Sequence, residues 1–207
     1  ISNFLLNGTA GLLIVAMTLV QLGGNMSAQE AGMLTLGYAI TIVLFIRVGE
    51  KLLQRFGPRK PMIWGSLIVA ASILCLMPTH MLLDTYKIFA IIGFALFGLG
   101  LAFYATPSTD AALSNLPEDQ AGSGAGLYKM ASSLGASFGV AICAAVFTAL
   151  SAMPETMPFI DGVITYLGRV DNVAIRQAGF VALAINLIMA GAAVVSIMLT
   201  IPRGKKA

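Results

Sequence analysis

The sequence predicts an all-α integral membrane protein with six transmembrane helices. Two observations carry that prediction. Apolar runs of about 17 to 30 residues recur along the 207-residue chain, and about 20 residues cross a bilayer as a helix. Charged residues make up only 10 % of the sequence, against about a quarter in soluble domains, and the mean hydropathy is +0.90. The short alternating segments of a membrane β-barrel do not occur.

The first span is expected from about Asn3 to Gly23. The second, about Ala31 to Val48, follows "SAQE", where Ser27 and Glu30 have the spacing of a capping box. The third runs from about Pro61 to Met77 and the fourth from about Ile88 to Thr106. The fifth occupies about Ala121 to Leu150, and the sixth about Ala178 to Ile201, where Pro202 closes it. Residues 1–150 thus carry five helices. Residues 151–177, with two prolines and mixed charges, form an extracytoplasmic loop expected to fold as a hairpin or short surface helix. Residues 178–207 hold the last helix and a basic tail. The chain starts "ISNFLLNG", without Met, and is read as a piece of a longer protein.

The net charge of +3 is concentrated. No Lys or Arg separates spans one and two. Five lie in "RVGEKLLQRFGPRKP", Arg47 to Pro61, and only Lys87 lies in the next connection. Arg203, Lys205 and Lys206 follow span six. Cytoplasmic loops collect cations, so the basic loop and both termini are expected in the cytoplasm, against anionic membrane lipid. No aromatic-basic patch suggests nucleic acid. Cys75 and Cys143 lie inside apolar runs and read as small buried hydrophobes, with no metal site and no cofactor. Gly135 and Gly139, four residues apart, permit close helix approach. Gly122, Gly124 and Gly126 follow no strand and precede no Lys-Ser/Thr pair, so they read as packing glycines, not a phosphate cradle.

Lys129 is the most unusual residue. It lies eleven residues after Glu118, about 16 Å along a continuous helix. A cation at that depth faces a cavity or a partner, unless it snorkels to the interface. Ala125, Gly126, Ser132, Ser133, Ala136 and Gly139 share its stripe, opposite Leu127, Leu134, Phe138 and Ile142. Tyr38, Tyr104, Tyr128, Gln21, Asn3 and Asn7 are further cavity candidates, each also explicable as a packing residue. The eleven methionines suit a promiscuous pocket or adaptable packing. Arg47 and Glu50 are spaced to pair on one helix face. Lys129 and Ser133 could form a Ser-Lys hydrolase dyad. A Ser-His arrangement has no support, because the single histidine, His80, lies in an outer loop. A structural subunit without a pocket is the third class.

"GEKLLQRFGPRK" contains Gly49, Arg55, Gly57 and Arg59-Lys60 between two spans. It resembles the loop signature of the major facilitator superfamily, with Gln54 where an acid usually stands and Pro58 inserted. "SNFLLNGTAGLLIVAMTLVQ", "FGLGLAFYATPSTDAALSN" and "GLYKMASSLGASFGVAI" are similar to the C-terminal half of the fourteen-span drug:proton antiporters. Quinolone and multidrug exporters of the Nor type are nearer than the quaternary-ammonium exporters. The resemblance implies one six-helix bundle of a two-bundle facilitator fold in a bacterial cytoplasmic membrane. Small-molecule drugs and protons would be its cargo, and an N-terminal half its partner. It also implies a cytoplasmic latch in which Arg55 or Arg59 pairs with Asp110, set by Gly49 and Gly57. The spans hold no deep carboxylate, so the coupling acid is expected in the other half.

The topology is testable by cysteine labelling in intact cells. Gln54→Cys in the full-length protein should be protected from a membrane-impermeant thiol reagent added outside; labelling there would reverse the assigned orientation.

Overall fold

The computed structural model describes residues 1–114, 116–153, 157, 160 and 164–202. It is all-helical among these residues. Helices α1 (Ser2–Gly8) and α2 (Gly11–Leu22) together make the first span. They are followed by α3 (Ala28–Phe56), α4 (Arg59–Leu76) and α5 (Leu83–Leu113). A 3₁₀ turn at Glu118–Gln120 leads into α6 (Ala121–Ser151), and α7 (Val173–Thr200) ends the bundle. Six helical stretches are long and apolar enough to cross a membrane, as expected.

The first span is broken, which its apolar run did not suggest. At Asn7-Gly8-Thr9-Ala10 the backbone closes three-residue turns, with Thr9 N–H donating to Leu6 O and Ala10 N–H to Asn7 O. The Thr9 hydroxyl also donates to Leu6 O, at 2.6 Å, and so competes for a helical acceptor. Thr9 is fully buried, so the break is held by packing.

The start of α3 follows the capping box as expected. Glu30 N–H donates to Ser27 Oγ at 3.2 Å and Ser27 N–H to Glu30 Oε2 at 2.9 Å. The helix then runs past the expected Val48, through the basic stretch, to Gly57. There φ is +71°, a left-handed value that suits glycine and stops the helix. Helix α5 likewise continues through the buried Pro107, seven residues beyond the expected Thr106.

Consecutive spans run antiparallel. The basic end of the bundle therefore carries the start of α1, the α3–α4 turn, the end of α5 and the starts of α4 and α6; the far end carries the α4–α5 and α6–α7 connections. Helix α3 packs almost wholly on α5, α5 on α4, and α4 on α7. Helix α7 in turn meets α6, α1 and α2, and α6 packs on α1 and α2. Outward faces are apolar, as a lipid solvent requires: Met33, Leu36, Ile40, Val43 and Leu44 on α3, and Leu127, Met130, Leu134 and Phe138 on α6, are exposed.

Close glycine contacts set much of the helix spacing. At α1–α6, a Cβ added to Gly139 would lie 1.8 Å from Gly8 O, and one on Gly135 2.2 Å from Phe4 O. At α4–α5, Gly65 and Gly100 oppose each other, each with the other's carbonyl within 2.7 Å of an added Cβ. Between α6 and α7, buried Asn186 donates to Ala182 O (3.0 Å) and Cys143 Sγ (3.1 Å). Cys143 is thus a buried free thiol, and Cys75 is free and half-buried.

Gly139→Ala should therefore cost about 1–3 kcal/mol, the range for overpacking a tight seam. Gly126→Ala, with nothing within 4 Å of the added methyl, should stabilise by about 0.5–1 kcal/mol. Thermal unfolding of the purified full-length protein in detergent checks both; equal shifts would refute the seam.

Candidate functional site

A polar cluster forms at the basic end, where α1, α5 and α6 converge. Asn7 Nδ2 donates to Asn3 Oδ1 (2.8 Å) and Asn3 O (2.7 Å), one turn away. Asn3 Nδ2 crosses to α6 and donates to Tyr128 O at 3.1 Å. The Tyr128 hydroxyl donates to Ser108 Oγ on α5 at 3.0 Å. Tyr104, one turn before Ser108, is buried, and its hydroxyl lies beside Ser108 and Ser2 without hydrogen-bond geometry to either. Four predicted residues, Asn3, Asn7, Tyr104 and Tyr128, therefore meet. Ser108 was missed; its signal was only a serine one turn from a buried tyrosine.

Lys129 lies beside this cluster and is exposed, as is Ser133; Ser132 is half-buried. It stands about 12 Å along α6 from Ala121, at 1.5 Å per residue. The expected stripe is not one open face. Gly139 is inside the α1 seam, Ser132 and Ala136 flank that seam, and Ala125, Gly126, Lys129 and Ser133 stay outside it. The buried line on α6 is Gly135, Gly139, Cys143 and Phe147, so the stripe straddles an edge between a packed seam and an uncovered surface.

Two candidates lie elsewhere. Tyr38 stacks on Phe97 with ring centroids 5.5 Å apart, in the α3–α5 seam, where Thr41 Oγ1 donates to Ala95 O at 2.9 Å. Gln21 is half-buried at the far end of α2, about 27 Å from Asn3 if the span rises 1.5 Å per residue.

The motif residues of the basic loop surround the α3–α4 turn. Gly49 is buried with Ala102 O 2.2 Å from an added Cβ, so it sets the α3–α5 approach. Arg55 is exposed, 5.2 Å from the Phe56 ring centroid, and Lys60 approaches the same ring at 5.4 Å. Arg59 Nη2 donates to Met198 O at 2.8 Å, tying α4 to the end of α7. Among the described residues the ion pairs are Lys87–Asp84 and Arg169–Asp171, so in this state half-buried Asp110 is not paired with Arg55 or Arg59, nor Arg47 with Glu50. The tail cations Arg203, Lys205 and Lys206 lie outside the described residues.

The far end is closed by α7, which begins five residues before the expected Ala178. Arg176 in its first turn is 7 % exposed. Its guanidinium donates to Thr79 O (2.6 Å), Leu167 O (2.8 Å) and Met81 O (2.8 Å), and lies 5.1 Å from the Tyr166 ring centroid. Thr79 Oγ1 answers by donating to Arg176 O at 2.9 Å. Asn172 Nδ2 donates to Gly23 O, and Gln177 Oε1 accepts from Met157 N–H at 2.7 Å. Arg176 and Gln177 resembled loop residues because they are polar; backbone groups satisfy them inside the helix. Leu167 N–H donates to His80 O at 2.9 Å, and His80 stacks edge-on against Tyr166. Of the 151–177 loop expected to fold as a hairpin or short surface helix, residues 154–156, 158, 159 and 161–163 lie outside those described.

Six packed spans, with a polar edge beside an uncovered helix face, define a polytopic membrane protein. The Major Facilitator Superfamily model matches residues 1–206. The chain belongs to the major facilitator superfamily. It is similar to the quinolone resistance protein NorB of Staphylococcus aureus strain MRSA252, with 50 % identity over 152 residues. The match covers 73 % of this chain and 33 % of that protein. NorB of strain JH9 is 49 % identical over the same length and coverage. The chain thus spans about a third of the length of the curated relatives it matches. Membership places it among transporters, which removes the Ser-Lys hydrolase reading.

Arg176→Lys should destabilise the full-length protein by roughly 3 kcal/mol, because an ammonium cannot reach three divergent carbonyls and each such charged bond contributes about 1.5–3 kcal/mol. Arg169→Lys, in an exposed pair, should leave thermal unfolding unchanged. Equal effects would show that Arg176 does not hold the far end together.

Proposed function

We propose that this chain is the C-terminal six-helix half of a proton-coupled multidrug antiporter that exports quinolone-type and other cationic or zwitterionic drugs by alternating access. The observation that carries this reading is the 50 % identity to a quinolone resistance protein over 152 residues. The partner is an N-terminal half, and the membrane is the bacterial cytoplasmic membrane, with both ends of this chain inside. The substrate passes between the halves, near the midplane.

Lys129 faces the space between the halves and selects for a carboxylate. Its support is its exposure on an otherwise small and apolar helix surface, one step from the Asn3–Tyr128–Ser108 network that fixes its backbone. An ammonium there attracts an anionic or zwitterionic drug and repels a permanent cation, and the low dielectric strengthens both effects. Tyr128, Ser132, Ser133 and Asn7 border the same edge. Arg55 or Arg59 pairs with Asp110 in another state of the cycle, when Arg59 leaves Met198 O. Helices α1, α2, α4, α6 and α7 contain no Asp or Glu, and those of α3 and α5 lie near helix ends. The proton-coupling acid therefore belongs to the N-terminal half.

Lys129→Gln in the full-length protein should lower export of a fluoroquinolone on the order of tenfold, or about 1.4 kcal/mol, while sparing a permanent cation such as ethidium. Equal loss of both would assign Lys129 to gating or coupling. Unchanged export of both would leave it a snorkelling residue.

A further inference from the structure

A cavity of about 320 Å³ opens at the far end of the bundle, between the end of α2 and the starts of α5 and α7. It is remote from Lys129, which lies near the basic end. That volume falls within the range that holds a drug-sized molecule. Its walls combine an apolar body and a polar floor. Leu19, Val20, Leu82 and Tyr86 supply the first, and Arg176 and Asn172 the second.

Three features of the floor favour a carboxylate. Arg176 brings a buried positive charge, and its three hydrogen bonds go to neutral carbonyls. Helices α5 and α7 both begin at the cavity, and neither has a side-chain cap on its first-turn N–H groups. Helix starts without caps attract anions. The rim acids do not oppose this strongly: Asp84 is paired with Lys87, and Asp171, beside the lining Arg169, is paired with that arginine.

We infer that this cavity is a second, outer binding site for aromatic zwitterions, with the carboxylate toward Arg176 and the helix starts. The choice of aromatic zwitterions rests on the exporter reading above; the cavity chemistry does not.

The experiment uses purified full-length protein carrying Leu82→Cys at the cavity mouth, where Leu82 is 53 % exposed. A maleimide reports access, with labelling of the unsubstituted protein subtracted. Norfloxacin should slow labelling at least threefold and saturably, and its methyl ester should not. Leu167→Trp, at an exposed position lining the cavity, should abolish the protection; Lys129→Gln should leave it intact. Absence of protection up to the solubility limit, equal protection by the ester, or protection that survives Leu167→Trp would each overturn the site. Drug export by cells expressing the same variants is scored separately. Protection without export would keep the outer site and remove the exporter reading; export without protection would do the reverse.

Discussion

Close backbone approach between helices is the constraint on which this bundle depends. In a bilayer, burying leucine against leucine gains little over burying it against lipid, so association rests on van der Waals contact and a few polar bonds. The contact is greatest where side chains are missing. Gly139 against Gly8 and Gly65 against Gly100 bring main chains together, and Gly49 does the same for α3 against Ala102. Polar bonds are then added where the backbones already lie close: Asn3 to Tyr128 O, and Thr41 to Ala95 O.

The two ends of the bundle are built differently. At the far end, one arginine and two amides of α7 hold the connecting segments through main-chain groups, and the bonds are buried. At the basic end the ties are fewer and more exposed: Arg59 to Met198 O, and cations around the Phe56 ring, which also meets Trp64 edge-on at 5.3 Å. Exposed bonds exchange more readily than buried ones, so the basic end is the more labile of the two.

Much of this was legible in the sequence, for identifiable reasons. Long apolar runs and the scarcity of charge fix the number of spans, because lipid tolerates little else. Ser27 and Glu30 announce the start of α3 through a local hydrogen-bond pattern. The break at Thr9 was hidden because a run of apolar residues measures hydropathy, not backbone continuity; "NGT" was the only cue. The start of α7 was hidden because Arg176 is satisfied by carbonyls from residues 79, 81 and 167, which no local pattern encodes. The candidate stripe on α6 divides between covered and uncovered residues for a similar reason. Periodicity groups Gly139 with Lys129, but the position of α1, a tertiary fact, decides which of them is covered.

The order of helix pairing has a consequence for how the chain is made. Helix α3 touches α4 little and packs on α5; α1 and α2 pack on α6 and α7; α4 needs α5 and α7. A ribosome delivers these spans one at a time. The first span therefore stands in the bilayer with its glycine face bare until the fifth emerges, and α4 stays incomplete until the last. During that interval the unpaired faces are held by lipid or by whatever assists insertion, and a nascent chain stopped before α7 lacks Arg176 and so the clasp over its outer end. Helix α7 thus acts as the closing step of this bundle's assembly.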